Sequence, residues 1–209
     1  MGRALILVWM ASVGCAATVP PAVPLPPREE AMRAATVYFP RCGTGWMVTD
    51  HLIVTNRHVA GCTRHFFRNI AWVIFSDGSL GFLGAIHVSK ERYVDLAICE
   101  LDQDPASRTL ELGDPDSLTL DDEVMSIGNP PAKHFQPNRF RVVARPPIVP
   151  GGLDGVIVLE GDAQAGESGS PIATADGKVV GVLFARAPGH AYAVPVRPYL
   201  TDLLESGPH

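Results

Sequence analysis

Gly166-Glu167-Ser168-Gly169-Ser170-Pro171 is one of three short stretches that carry most of the information on fold and function in this chain. The other two are Thr55-Asn56-Arg57-His58-Val59 and Asp95-Leu96-Ala97-Ile98. The three stretches supply a serine, a histidine and an aspartate, the residue types of an acyl-transfer triad. Their order along the chain, histidine then aspartate then serine, is one in which this triad occurs. One stretch alone is weak evidence, but the three together predict a catalytic site.

The chemistry explains why these residue types are needed together. A serine hydroxyl such as that of Ser168 is a poor nucleophile until a neighbouring base takes its proton. His58 is the candidate base, because imidazole titrates near physiological pH, and Asp95 would hold its ring in the required tautomer. The glycines around the serine allow a tight turn, so that the amides of Gly166 and Ser168 could bind an oxyanion. One such donor lowers the barrier by about 3 to 4 kcal/mol.

Composition limits the class of protein. The chain has 209 residues, of which 46% are hydrophobic and 19% charged, so we expect a globular domain or two small fused barrels. The net charge of -5 argues against a nucleic-acid partner bound through its phosphates. The one basic run, from 133 to 145, alternates with apolar residues and indicates a solvated strand face.

The first residues read as an export signal. A short basic start and the apolar stretch from Ala4 to Val13 predict a signal peptide over residues 1–17, too short to span a bilayer. Cleavage before Cys15 would leave a lipid-anchored protein, and cleavage after Ala16 or Ala17 would release it. In both cases we expect an exported, periplasmic or secreted protein, with a membrane contact only where Cys15 carries a lipid. Prolines then predict an extended linker over residues 18–33, before a domain over 34–209.

The remaining cysteines give no metal motif. The chain has no C-x-x-C and no paired Cys/His spacing, so we expect no zinc site. Cys42 and Cys62 bracket the histidine stretch, and a disulfide between them would close a loop of about 20 residues. Cys99 lies in an apolar run and is expected to be buried in the core.

Short strands separated by turns dominate the domain. Many strands with few helical stretches indicate an all-β barrel or sandwich. A break between two barrels fits best in the polar stretch 111–122, and one helix is predicted over 196–205. Strands are predicted over 45–48, 52–54, 71–75, 85–88, 96–101, 123–127, 156–159, 179–184 and 192–196.

The sequence also resembles a known family. The histidine stretch and the segments Asp95-Leu96-Ala97 and Ile127-Gly128-Asn129-Pro130 are similar to HtrA/Deg-type proteases of the trypsin-like superfamily. The serine stretch is similar to that of bacterial glutamyl-endopeptidase-type enzymes. The resemblance covers about residues 36–205 and implies two perpendicular six-stranded antiparallel β-barrels, near 34–115 and 116–196, with the triad between them. It also implies a serine endopeptidase that acts on proteins or peptides without a metal or organic cofactor.

Several departures from the family are visible. Glu167 stands where Asn or Asp is usual, and its longer carboxylate could disturb the oxyanion loop or pair with a basic group there. No PDZ-like segment follows the protease region, so peptide-gated regulation is not expected. Trypsin-like enzymes with a disulfide at the histidine usually place the cysteine directly after it, whereas Cys62 follows His58 by four residues.

Substrate specificity stays open. Asp162 stands six residues before Ser168, at the position that in trypsin lies at the base of the primary pocket, which would favour Arg or Lys. A two-residue shift would instead equate Asp162 with an HtrA aspartate that does not set specificity. Phe184, Ala185 and Arg186 are expected to form the pocket's edge strand, where Arg186 could favour acidic side chains.

The function expected from these features is that of an exported serine endopeptidase with His58, Asp95 and Ser168 as its triad. The alternative is a catalytically silent, protease-like binding module at the cell envelope, inactivated by the loop around Glu167. A serine esterase on the same fold is a third hypothesis. The sequence makes no prediction of oligomeric state.

Overall fold

Twelve strands form two closed antiparallel barrels of six strands each, which confirms the expected fold class. The structure is a computed structural model, and it describes residues 25–66, 71–102, 109–145 and 155–205. The predicted signal peptide, Cys15 and the first part of the predicted linker lie outside these residues. No helix in the described ranges is long and apolar enough to cross a membrane.

The first barrel has the strand order β1-β2-β3-β6-β5-β4 and closes through pairing of β4 with β1. A helix, α2, lies between β3 and β4. The elements are β1 Thr36–Phe39, β2 Gly43–Met47, β3 Leu52–Thr55, α2 Arg57–Phe66, β4 Trp72–Phe75, β5 Leu80–Val88 and β6 Ala97–Leu101.

The second barrel has the order β10-β11-β12-β9-β8-β7 and closes through pairing of β7 with β10. A short 3₁₀ turn at Pro115–Ser117 precedes it, within the stretch where the break was expected. The elements are β7 Glu123–Gly128, β8 Gln136–Ala144, β9 Ile157–Glu160, β10 Pro171–Ala173, β11 Val179–Ala187, β12 His190–Pro195 and, after the barrel, helix α3 Tyr199–Glu205.

Strands between the barrels contribute side chains to two hydrophobic cores. In β3, Ile53 packs inside the first barrel, while its neighbour Val54 packs in a cluster shared with the second barrel. In β6, Cys99 faces the first barrel's core and Ile98 the shared cluster. Successive side chains point to opposite faces of a strand, so a strand between two cores reads as a continuous apolar run.

The N-terminal region differs from the prediction. The linker was expected to continue to residue 33, but helix α1 spans Pro27–Ala35, and Met32 is 1% exposed within the shared cluster. Proline favours extended spacers, yet it is also well suited to the first position of a helix, which Pro27 occupies. The chain from Pro27 onward is therefore part of the folded domain.

Four further elements differ from the expectation. Helix α2 and the short strands β1 and β10 were not predicted. The C-terminal helix begins at Tyr199 and not at Val196, because the residue before a proline disfavours helical geometry and Pro198 follows Arg197. The basic run does form a solvated strand face, since Arg139 and Arg141 of β8 are exposed while Phe140 and Val142 are buried.

Candidate active site

The register of two neighbouring strands brings His58 and Asp95 to the same end of the first barrel. Thr55 ends β3 and is paired with Ala97 at the start of β6. In an antiparallel pair, the residues after Thr55 and those before Ala97 leave the sheet at the same end. Helix α2 begins at Arg57 and carries His58 in its first turn, beside the loop that holds Asp95.

Two hydrogen bonds join His58 and Asp95. The ring atom Nδ1 lies 2.6 Å from Oδ2 of Asp95, and the His58 amide donates to Oδ1 at 3.0 Å. Asn56 holds the same aspartate by donating from Nδ2 to its carbonyl oxygen at 2.8 Å. In the tautomer in which Nδ1 donates to the carboxylate, Nε2 is left to accept a proton. The arrangement suits a general base.

Arg57 fixes the loop that leads to Asp95. Its guanidinium donates to the carbonyl oxygens of Glu91 at 2.9 Å and Arg92 at 3.1 Å, and also to that of Ser89. One planar side chain thus holds three carbonyl groups of residues 89–92. The sequence analysis did not assign this role to Arg57, although the residue stands next to the candidate base.

Ser168 belongs to the second half of the chain but lies against the first barrel. Its carbonyl oxygen accepts a hydrogen bond from the Thr44 amide at 2.8 Å. A Cβ on Gly43 would stand 2.7 Å from that oxygen and 2.8 Å from Cγ2 of Val59, the residue after His58. Only glycine at position 43 allows this close approach. Among the described residues, no hydrogen bond joins the Ser168 hydroxyl to His58.

A tight turn precedes Ser168. The Glu167 amide donates to the Gln164 carbonyl at 3.2 Å, and Gly166 has a φ of +88°, as the third position of a type II turn requires. The Gly166 carbonyl accepts a hydrogen bond from Thr44 Oγ1 at 2.8 Å. Within the described ranges, the amides of Gly166 and Ser168 donate to no protein acceptor. Two backbone donors beside the serine are therefore available to a substrate.

Thr44 connects the two barrels at this turn. Its hydroxyl donates to Gly166 and accepts from the Asn129 amide at 3.0 Å, while its carbonyl accepts from Thr55 Oγ1 at 2.6 Å. Asn129 in turn donates to the Val37 carbonyl at 3.2 Å. Thr44 itself is fully buried. Sequence reasoning missed this network, because its partners lie up to 122 residues apart.

Glu167 is 1% exposed, directly before Ser168. Its carboxylate accepts from the Gln164 amide at 2.7 Å and from Asn138 Nδ2 at 3.3 Å. Burial raises the pKa of Glu167, against the opposing effects of these two donors and of the Arg186 charge. The carboxylate thus bonds back to the Gln164 amide, at the start of the turn that precedes Ser168.

The residues expected to form the substrate pocket lie on both sides of the serine turn. Asp162 is exposed, and its carbonyl oxygen accepts from Asn138 Nδ2 at 3.0 Å. On β11, Phe184 and Ala185 are half-buried and Arg186 is exposed. Arg186 Nη1 lies 3.5 Å from the Ala163 carbonyl oxygen, so the structure brings Arg186 to the segment that contains Asp162.

Cys42, Cys62 and Cys99 lie in the environments that the sequence analysis predicted. Cys42 and Cys62 form a disulfide that links the β1–β2 loop to α2, across a sequence separation of 20. Cys99 is buried in the core of the first barrel. In the described part of the chain, no group of three or more His, Cys, Asp or Glu side chains could hold a metal ion.

Curated proteins with similar sequences are proteases. The magnetosome formation protease MamE of Magnetospirillum gryphiswaldense is 34% identical over 146 residues, which cover 67% of this chain and 18% of that protein. A probable periplasmic serine endoprotease, DegP-like, of Bartonella henselae is 28% identical over 176 residues, covering 79% of this chain and 34% of that protein. The chain thus spans about a third or less of these relatives.

Solved structures and a family model agree with the fold. The HtrA-type protease AlgW with a decapeptide has a TM-score of 0.68 at 20% identity, covering 79% of this chain and 52% of that one. The Rv3671c protease in an inactive form has a TM-score of 0.68 at 22% identity, covering 86% and 91%. A model described as the trypsin-like peptidase domain matches residues 43–182, which include all three predicted catalytic positions. The chain belongs to the family of trypsin-like peptidases.

Proposed function

We propose that this protein is an exported serine endopeptidase with Ser168 as nucleophile, His58 as general base and Asp95 as the group that orients His58. The observation that carries the proposal is the hydrogen-bonded pair of His58 and Asp95, at 2.6 Å, together with Gly43, whose missing side chain lets the Ser168 carbonyl oxygen and Val59, the residue after His58, approach the same point. The family to which the chain belongs supports the same activity. The amides of Gly166 and Ser168 are proposed to bind the oxyanion.

The first half of the reaction transfers the acyl group to the enzyme. Ser168 Oγ attacks the carbonyl carbon of the peptide bond, and its proton moves to His58 Nε2. The carbonyl oxygen becomes an oxyanion that accepts hydrogen bonds from the two amides. Asp95 stabilises the imidazolium while it carries the proton. His58 then gives that proton to the leaving amine, the carbon–nitrogen bond breaks, and an acyl-enzyme forms on Ser168.

The second half releases the acyl group. A water molecule gives its proton to His58 Nε2 and attacks the ester carbonyl carbon of the acyl-enzyme. The same two amides stabilise the second oxyanion. The bond to Ser168 Oγ breaks, the serine recovers its proton from His58, and the product leaves with a free carboxylate. The cycle consumes one water molecule and requires no group beyond these residues.

Export is supported by two independent observations. The DegP-like relative is described as periplasmic, and the Cys42–Cys62 disulfide is of a kind that persists mainly in oxidising compartments. The signal peptide over residues 1–17 and a lipid on Cys15 stay predictions. Fractionation of cells, with mass spectrometry of the mature N-terminus, distinguishes a lipidated from a released form.

Labelling with a fluorophosphonate probe tests the activity. The parent protein is expected to react, because the probe needs a serine activated by a base, while Ser168→Ala and His58→Ala are expected not to react. Absence of labelling in a folded parent protein would contradict the proposal and favour the silent binding module. Labelling together with hydrolysis of esters but not of amides would favour a serine esterase.

A further inference from the structure

The edge of β11 is open just beyond Ser168. Up to Leu183, this strand is paired on one side with β10 and the residues before it, since Gly169 donates to the Leu183 carbonyl and the Leu183 amide donates to that of Ser170. Beyond Leu183, β11 pairs only with β12 among the described strands. An extended peptide can add to such an edge as a further strand. A peptide bound along Phe184–Arg186 would run directly past the nucleophile.

Arg186 lies on the inner face of this open segment. It is paired with Ala191 of β12, which is fully buried in the second barrel's core. Side chains of directly paired residues share one face of the sheet. The Arg186 side chain accordingly leaves the strand on that face but stays exposed to solvent, and its Nη1 lies 3.5 Å from the carbonyl oxygen of Ala163, five residues before Ser168. It therefore lies between β11 and the segment that leads to the serine.

The positive charge of Arg186 is not neutralised by an ion pair. No carboxylate in the described ranges lies within 4.0 Å of its guanidinium. Glu167 is close enough for the Arg186 charge to lower its pKa, but its oxygens are taken by Gln164 and Asn138. Asp162 is exposed to solvent, as Arg186 is, but among the described residues its carboxylate makes no hydrogen bond or ion pair that would hold it toward β11. The charged group held between β11 and the segment before Ser168 is therefore a cation.

We propose that Arg186 is a specificity-determining residue that selects an acidic side chain on the residue that supplies the scissile carbonyl group. The proposal rests on the endopeptidase activity proposed above. A guanidinium presents a planar fork of donors that fits a carboxylate and repels lysine or arginine. Of the two substrate classes that the sequence analysis left open, the proposal selects an acidic residue over a basic one at the cleavage site. Arg186 acts on binding and takes no part in the proton transfers.

Four quenched fluorescent peptides, identical except for Glu, Gln, Lys or Leu at the cleaved residue, test the inference. For the parent protein, we expect kcat/KM for the Glu peptide to exceed that for the Gln peptide about tenfold, the size of one charge-assisted hydrogen bond at an exposed site. The ratio should fall to about one in Arg186→Gln. Lys178→Gln removes the same charge just before the opposite end of β11 and should keep the parent ratio.

A charge-reversal variant separates a change in specificity from a loss of activity through misfolding. Arg186→Glu is expected to prefer the Lys peptide over the Glu peptide, a gain that misfolding cannot produce. Cleavage that depends on Ser168 but favours Lys, or shows no preference, in the parent protein would overturn the role of Arg186 and leave the proposed function intact. Absence of any Ser168-dependent cleavage of all four peptides would overturn both.

Discussion

The side chain of Arg57 takes no part in the proposed proton transfers, but it holds the segment that leads to Asp95, the residue proposed to orient His58. Its guanidinium holds the carbonyl groups of Ser89, Glu91 and Arg92, just before Asp95. Such hydrogen bonds from a charged donor are stronger than neutral ones. The position of the carboxylate relative to His58 therefore depends on an arginine outside the triad.

Replacement of Arg57 by alanine is expected to lower kcat about tenfold with little change in KM, because the loop loses three hydrogen bonds and the segment that leads to Asp95 is less firmly held. Steady-state kinetics on a peptide substrate give the two constants separately. Arg92→Ala is the matched control, since it removes an exposed arginine of the same loop and keeps the carbonyl group that Arg57 binds. Equal losses in the two variants would contradict the role of Arg57.

Glu167 should make the stability of the protein depend on pH. Burial raises its pKa above the ordinary 4.5, so the folded state holds this proton more tightly than the unfolded chain. The contribution of the protonated carboxyl to stability is complete below pH 4.5 and is lost as the pH rises through the folded-state pKa. Glutamine at this position carries no charge at any pH and should not show this loss.

The expected result is that Glu167→Gln gains in free energy of unfolding relative to the parent protein as the pH rises above 4.5. Urea unfolding of both proteins at several pH values between about 4 and 8 measures the difference, across the range in which carboxyl and imidazole groups titrate. A difference that stays constant over this range would show that ionisation of Glu167 does not oppose folding.

Single residues differ in how far the sequence reveals them. His58, Asp95 and Ser168 could be singled out because their neighbours in the sequence form recognisable motifs. Thr44 and Asn138 could not, since their roles depend on contacts with Gly166 and Glu167, far along the chain. The side-chain hydroxyl of a threonine in a strand carries no signal of a partner that only the fold supplies.

At the scale of elements, α1 shows that a proline-rich stretch can end in a packed helix. Pro27 stands at the start of α1, Glu29 and Glu30 occupy the first turn, and Arg33 occupies the last turn. Acidic residues near the first turn and a basic residue near the last favour the helix dipole. Glu29 is also buried and ion-paired with Arg139 of β8, which ties the helix to the second barrel.

Met32→Ala is expected to lower the free energy of unfolding by about 3 kcal/mol, because it removes a buried side chain from the cluster shared by both barrels. Glu30→Ala on the exposed side of α1 should change it by less than about 0.5 kcal/mol. Chemical denaturation of the two variants measures the effect. A Met32→Ala variant as stable as the parent protein would mean that α1 does not contribute to the fold.

Other elements were predictable to different degrees. Strand β11 stands out in the sequence because it combines three valines with a preceding turn, and the five-residue strand β6 stands out because it is mostly apolar. Strand β10 has three residues and follows the serine turn directly, so its pattern is too short to detect. Helix α2 is preceded by Asn56, a residue type favoured before a helix, but it contains Gly61 and has no acidic residue in its first turn, so its pattern is weak.

At the scale of the whole molecule, the hydroxyl of Thr44 joins the two barrels next to the proposed oxyanion site. Thr44→Val keeps the shape of the side chain but leaves the Gly166 carbonyl and the Asn129 amide without this partner. Leaving buried polar groups unpaired costs about 1 to 3 kcal/mol. We expect a loss of stability of this size and a fall in kcat of about tenfold, as the turn before Ser168 loses its support.

Thr63→Val is the matched control for this change. Thr63 is also fully buried, but its hydroxyl donates only to the Val59 carbonyl one turn earlier in α2. Its replacement should leave kcat within about twofold of the parent value, since no contact between the barrels is lost. Thermal unfolding and peptide kinetics on the two variants separate a general loss of stability from loss of the turn. Similar kcat values for both variants would contradict the connecting role of Thr44.

The order of the three motifs along the chain also decides when a newly made molecule could act. Ser168 follows His58 by 110 residues, and synthesis adds about 5 to 20 residues per second. A growing chain therefore carries the base and its aspartate for several seconds before the nucleophile exists. Ser168 must then be brought against Gly43 of the completed first barrel. For the proposed endopeptidase, a chain that ends before Ser168 thus carries a base without a nucleophile and can digest nothing.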